Sequence, residues 1–402
     1  MVAPARRQPA RGLCSTTVRL LIGVTAAVVI AAPAAVAVGP KAGSPTPGAL
    51  AGFRYRYNDA YTGWPLTPVQ EQHGIRGSFL DLRRPSEQGN YHIGVDISVR
   101  DDQPEPDAPP NRTHRVFAVE GGRARIPPRQ AIVGCVNRIA TVGHFQYWHT
   151  DTVGAIEDGD TVTPGQLIGW TCKGLWHVHL SEVQTVDGVD TWVNPLHPGG
   201  KLAPYVDTAS PVIRSVRFAR PGAAAWQITN AMRWSPPPSA TLAASDLDGV
   251  VDVSAAIGDA QSFRGVLDEV PRLYADLHPY RVRIELTRMR DRAKLLAEDV
   301  FRGDAFLEAH LPRRGLPVDL DKHYAPGTYQ NVPAIECVQG KLPTAARQTC
   351  AGLYWLRLFA RRPGASWDTR RFENGVYRLD VLAWDDSGNS ARKRVRVVVA
   401  NP

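Results

Sequence analysis

From about Phe53 to Tyr205 the chain alternates short apolar runs with turn residues, as in RGSFLDLR, HRVFAVEGGRARI, NRIATVGHFQYWHT, GDTVTPGQLIGWT and WHVHLSEV. Within runs this short, apolar and polar residues recur with a period of two, the spacing that gives a strand one face for a core and one for water. Glycine (35) and proline (33) are plentiful, and long helical patterns are scarce. Both facts exclude a helical bundle and predict a mostly β protein of antiparallel sheets joined by tight turns.

A length of 402 residues exceeds what one hydrophobic core usually serves. A boundary is expected near Asp207 to Pro211, giving a first domain over 53–206 and a second over 207–402. In the second, YRVRIELTR places Val282, Ile284 and Leu286 on one face and Arg281, Arg283 and Glu285 on the other. The final stretch, GVYRLDVLAWDDSGNSARKRVRVVVANP, reads as two strands joined by a turn at Asp385-Asp386-Ser387-Gly388-Asn389. Those strands predict a β-sandwich of the immunoglobulin or fibronectin type. The part from about Arg288 to Arg371 fits that pattern less well. It carries the amphipathic RAKLLAEDVFRGDAFLEAHL and is expected to be an irregular insertion.

The first 37 residues have the layout of a secretory signal: Arg6, Arg7, Arg11 and Arg19 with no acid, an apolar centre, and Ala35-Val36-Ala37 as a cleavage site. The competing reading is a membrane anchor through residues 20–38, a run nearly long enough to span a bilayer. Alanine richness and Pro33 favour cleavage, and residues 38–52 then form a flexible linker. Loss of four arginines reduces the formal net charge from +8 to +4. That is mild, and gives no argument for nucleic-acid binding. The expected location is extracytoplasmic, secreted or held at the cell wall of a bacterium, and the expected state is a monomer. Export puts Cys135, Cys172, Cys337 and Cys350 in an oxidising compartment. The simplest of the three pairings is Cys135 with Cys172 and Cys337 with Cys350.

Three histidine-bearing segments carry the candidate chemistry. GNYHIGVDISV holds His92 and Asp96 around Gly94, YWHT ends on His149 and Thr150, and LWHVHLSEV holds His177 and His179. Residues two apart on a strand share a face, so His177 and His179 project side by side. Each segment alone has a plain reading, a surface turn or hydrogen-bonded surface histidines. Together they supply the parts of a hydrolytic metal site, in which histidine nitrogens and a carboxylate hold zinc and leave a position for water. His144 reads as an outward-facing strand residue. Asp246, Asp248 and Asp259 suggest calcium but are too few for an EF-hand loop and read as a plain turn, and Trp355 and Trp384 read as core, with an exposed platform for sugar as the alternative.

The order H-x-G-x-D, Y-x-H, H-x-H resembles the lysostaphin/LytM-type zinc endopeptidases that cut the peptide part of peptidoglycan. The likeness extends over about Gly77 to Pro198. GSFLDLR is similar to that family's G-x-F-x-D-x-R strand, VFAVEGGRA to its V-x-A-x-x-G-x-V strand, GDTVTPGQLIGW to its G-D-x-V-x-x-G-Q-x-I-G segment, and VNPLHP to its N-P-L. The resemblance implies a compact antiparallel β domain with a groove, one zinc ion held by His92, Asp96 and His179, and an acid/base and oxyanion-stabilising pair in His149 and His177. It also implies a peptidoglycan peptide as substrate. Departures are Thr150 where the family has leucine, a longer link at RDDQPEPDAPPNRTH, and TCKGLWH where the family has a serine- and glycine-rich loop. A Cys135–Cys172 bridge would hold that rim instead. The alternative is a non-catalytic LytM-type protein that binds the wall or regulates amidases, and a third reading makes the C-terminal sandwich a wall-anchoring module.

Overall fold

A computed structural model describes residues 53–402 apart from 82–91, 128–137, 187, 223–226, 230–231, 235–236, 264, 266–276, 304–322 and 329–353. The expected signal and linker, Cys135, Cys337 and Cys350 lie outside the described residues. Cys172 lies within them, buried at a strand end.

The described residues are mostly β, and their sheets are antiparallel. Ten strands lie in the first half: β1 (Ile75–Gly77), β2 (Val95–Ser98), β3 (Arg112–Phe117), β4 (Gly122–Arg123), β5 (Arg138–Val142), β6 (Phe145–Asp151), β7 (Thr161–Val162), β8 (Leu167–Cys172), β9 (His177–Val186) and β10 (Val189–Val193). Eight of them form one sheet in the order β1-β2-β9-β6-β8-β3, with β10 paired to β9 and β5 to β6, while β4 and β7 form a separate ribbon. The run from Arg138 to His149 is a hairpin. It turns at Gly143, whose φ of 58° is open to glycine at little cost and whose added Cβ would meet the Glu120 carboxylate. An apolar run on both sides of a two-residue turn hides that turn from a pattern search.

The second half holds β11 (Val212–Ala219), β12 (Gln227–Thr229), β13 (Met232–Trp234), β14 (Val250–Gly258), β15 (Arg281–Arg288), β16 (Lys294–Arg302), β17 (Tyr354–Arg357), β18 (Trp367–Asp368), β19 (Gly375–Trp384) and β20 (Ser390–Val399). One four-stranded sheet runs β11-β14-β17 with β18 beside β14, and a second runs β16-β15-β19-β20. Their inner faces feed one buried cluster, which includes Val253, Ala255 and Ile257 of β14, Val282, Ile284 and Leu286 of β15, and Leu379 and Val381 of β19. This is the layering of a β-sandwich. Each aliphatic side chain fully buried there contributes about 1.5–3 kcal/mol.

β19 and β20 pair from Gly375 with Val399 to Trp384 with Ser390, around the turn read from the sequence. There Asp385 Oδ1 accepts from the Asn389 amide at 2.8 Å, and Gly388 has a φ of 89°. Of the expected insertion over 288–371, residues 304–322 and 329–353 lie outside the described residues, and the rest is partly regular strand. Residues Lys294–Arg302 are a strand paired with β15, and β17 and β18 join the other sheet. Register shifts interrupt the β15–β16 ladder at Val282/Arg283 and Leu286/Thr287, so alternation along β16 is broken and its strand character is masked. Trp355 and Trp384, expected in the core, are only partly buried, and each ring is covered by an arginine: Arg217 lies 3.9 Å from the Trp355 centroid and Arg281 4.8 Å from that of Trp384.

The described residues form one compact unit. Phe79, Leu80, Ile93, Trp192 and Val193 of the first half belong to the sandwich's buried cluster. Polar pairs cross as well: Tyr354 donates to Asp81 Oδ1 at 2.8 Å, Tyr324 to Leu80 O at 3.0 Å, and Gln261 bonds both backbone groups of Ile75. Among the described residues no helix is long and apolar enough to cross a membrane.

Candidate metal centre

β9 is the central support of the site. It pairs with β2 so that Asp96 lies opposite His179 and Ser98 opposite His177, and with β6 so that Trp148 lies opposite His179. Asp96 and His179 therefore share a face. His92 reaches the same face from the chain leading into β2, and Gly94 makes this approach feasible. A Cβ at Gly94 would stand 2.2 Å from Leu180 O of β9, so any larger residue would push the lead-in off the strand.

Three ligand atoms converge there. His92 Nε2 lies 2.7 Å from His179 Nδ1 and 3.0 Å from Asp96 Oδ1, and His179 Nδ1 lies 3.1 Å from Asp96 Oδ1. All three residues are buried. His92 Nδ1 is 2.7 Å from Ser78 O, a carbonyl that can only accept. The hydrogen of a neutral His92 is thereby fixed on Nδ1, and its Nε2 presents a lone pair to the Asp96 carboxylate. Two acceptors at such a distance repel unless a proton or a cation stands between them. His179 is oriented on its far side by Ser181 Oγ, 2.8 Å from Nε2. Such outer contacts fix the ring and the nitrogen that faces a metal. Tetrahedral zinc with arms of about 2.0–2.1 Å has ligand edges of about 3.3–3.4 Å. The triangle fits after opening by a few tenths of an ångström.

His149 and His177 stand beside this triangle, with ring centroids 4.7 Å apart. His149 is the residue at which β6 leaves β9 and joins β8, since Trp148 pairs with His179 and Thr150 with Thr171. Its φ of 64° is left-handed, a strained setting that histidine tolerates better than most residues, and Trp176, just before His177, has a φ of 61°. His177 Nδ1 lies 2.5 Å from Leu175 O, which leaves Nε2, 3.4 Å from Asp96 Oδ1, as the free basic nitrogen. Burial holds His177 well below the usual histidine range, against the pull of the Asp96 carboxylate and with help from Arg76 and His149. All five residues singled out in the sequence are thus brought to one place.

Sequence reading missed the supports. Ser78 acts through its carbonyl, which no side-chain pattern reveals, and Ser181 lies on the His177/His179 face by the same period of two and could have been found that way. Arg76 donates to Leu175 O and Trp176 O at 3.4 and 3.3 Å, bracing the turn before β9. His144 is in the β5–β6 turn rather than on a strand. Its Nδ1 pairs with Glu120 Oε2 at 2.9 Å, and that hydrogen bond raises its pKa. Comparison of the chain with family models, curated proteins and solved structures finds no match.

Proposed function

We propose that the protein is a zinc-dependent endopeptidase that hydrolyses peptide bonds in peptidoglycan. The observation that carries the metal is the convergence of His92 Nε2, Asp96 Oδ1 and His179 Nδ1, with the His92 hydrogen turned away to Ser78 O. The substrate class rests on the motif resemblance over Gly77 to Pro198, and export to the wall rests on the signal-like first 37 residues.

When bound, zinc supplies a water whose pKa is lowered to about 7 and polarises the scissile carbonyl. His92 and His179, both neutral, and the Asp96 carboxylate would hold it with one net positive charge, which favours that ionisation. His177 is neutral at pH 7 because burial opposes its protonation, and its Nε2, 3.4 Å from Asp96 Oδ1, is placed to accept a proton. His149, the other member of the pair, can hold a developing oxyanion by hydrogen bonding. With ring centroids 4.7 Å apart, the two rings would serve the same reaction, His177 taking a proton from the water and His149 holding the oxyanion.

The test is zinc content together with turbidity loss of purified peptidoglycan, for the wild-type chain and for His179→Ala. About one zinc per chain with clearing, both lost in the variant, is the expected result. Zinc binding without clearing removes the substrate assignment. Absence of binding when zinc is supplied overturns the metal reading and favours the wall-binding alternative.

A further inference from the structure

A second group of buried acids lies away from the histidines, where the two halves of the chain meet. Asp207 belongs to the connection between the halves, Asp259 follows β14, and Asp385 opens the β19–β20 turn. Each offers a carboxylate oxygen within 4.8 Å of the others, and all three residues are buried. Asp207 is 6 % exposed, Asp259 2 % and Asp385 1 %. Like charges at this spacing in a low-dielectric setting strongly disfavour one another.

Hydrogen bonds account for part of this charge and leave a remainder. Asp207 Oδ1 accepts from the amides of Ala209 and Ser262, both at 2.9 Å, while its Oδ2 is buried with no hydrogen-bond partner. Asp385 accepts from Asn389 through both oxygens, at 2.8 Å each, and the Asn389 side chain also donates to Asp207 O at 2.7 Å. Asp386, next along the turn, accepts from Asn194 Nδ2 of the first half at 2.5 Å. Tyr205 lies two residues before Asp207 and feels the charge of the whole group. Burial first, then the charges of Asp386, Asp207, Asp259 and Asp385, hold its hydroxyl well above the ordinary phenol range.

We propose that Asp207, Asp259 and Asp385 bind a calcium-class divalent cation that fastens the connection between the halves to the end of β14 and to the β19–β20 turn. The donors are all carboxylate oxygens, which suit a hard cation and not one that prefers nitrogen or sulfur. Calcium, with oxygens at about 2.3–2.6 Å, has a ligand sphere about 4.6–5.2 Å across, wide enough for oxygens spread over this distance. The orphaned Asp207 Oδ2 is the ligand the ion would engage first. The sequence grouped Asp259 with Asp246 and Asp248, too few for a calcium loop, whereas the fold groups it with Asp207 and Asp385. Asp248 is instead paired with Arg220.

The full chain is tested with its histidine site pre-filled with zinc. Calcium is titrated calorimetrically, and terbium is titrated with tyrosine excitation and then competed with calcium. The expected result is one calcium per chain, weak competition by magnesium, and a terbium signal that calcium abolishes. Asp207→Asn and Asp385→Asn each weaken calcium at least tenfold, whereas Asp248→Asn, outside the group and paired with Arg220, leaves it unchanged. Tyr205→Phe lowers the terbium emission without altering calcium affinity, which localises the site even where an aspartate variant does not fold. Absence of both calcium heat and terbium emission at millimolar metal overturns the proposal. So does calcium affinity that is unchanged in Asp207→Asn and Asp385→Asn, or terbium emission that Tyr205→Phe leaves intact.

Discussion

Gly94→Ala tests the link between backbone packing and the metal centre without touching a ligand. The added Cβ would stand 2.2 Å from Leu180 O and 2.8 Å from both Leu180 C and Ser181 Oγ. Ordinary carbon–oxygen contact begins at about 3.3 Å, so the lead-in to β2 must move about 1 Å from β9. His92 and Asp96 lie on either side of Gly94 and would move with it, while His179 stays with β9. Metal geometry tolerates about 0.2 Å, so zinc affinity is expected to fall at least 100-fold, or about 2.8 kcal/mol at 1.4 kcal/mol per decade. Strain of this kind also lowers apo stability by about 1–3 kcal/mol. Competition titration with a chromophoric chelator gives the first quantity and urea unfolding of the metal-free chain the second. Gly222→Ala, where a Cβ meets nothing within 4 Å, is the control and is expected to change neither. Wild-type zinc affinity in folded Gly94→Ala would show that the close approach of β2 and β9 does not set the ligand triangle.

Ser181→Ala removes the hydrogen bond that orients His179 and is expected to weaken zinc 10–100-fold with little loss of fold, checked by the same competition titration and by circular dichroism. His278 is buried, and burial pushes its pKa down to about 3. The unfolded chain therefore binds the extra proton between about pH 6.5 and 3, and this contribution to stability is complete above pH 6.5 and is lost as pH falls. At pH 5 the loss is about 2 kcal/mol, so His278→Phe should flatten the urea-derived stability between pH 7 and 5 by that amount relative to wild type. An unchanged slope would place the acid sensitivity elsewhere. Tyr354→Phe deletes the hydrogen bond to Asp81 that crosses between the halves and should cost about 1–3 kcal/mol in urea unfolding. Zinc added at about 1000 times its Kd to the metal-free chain should add about 4 kcal/mol of stability to wild type and none to His179→Ala.

Features set by local stereochemistry are legible along the chain. Period-two alternation shows β structure, and the same period puts His177 and His179 on one face of β9. The Asp385–Asn389 turn is legible because its residue types match its backbone. Register was not legible. β16 escaped because shifts in its ladder break the alternation, and the β5–β6 hairpin because its turn is only two residues long within an apolar run. Only tertiary structure decided that Asp96 pairs with His179, that His149 sits at the crossover of β6 from β9 to β8, and that Ser78 O fixes the His92 hydrogen. It alone gathered Asp207, Asp259 and Asp385, which come from three separate elements. Strand pairing and the burial of opposing faces fix those placements, and both depend on partners distant in the chain, whereas alternation and turn chemistry depend only on neighbours.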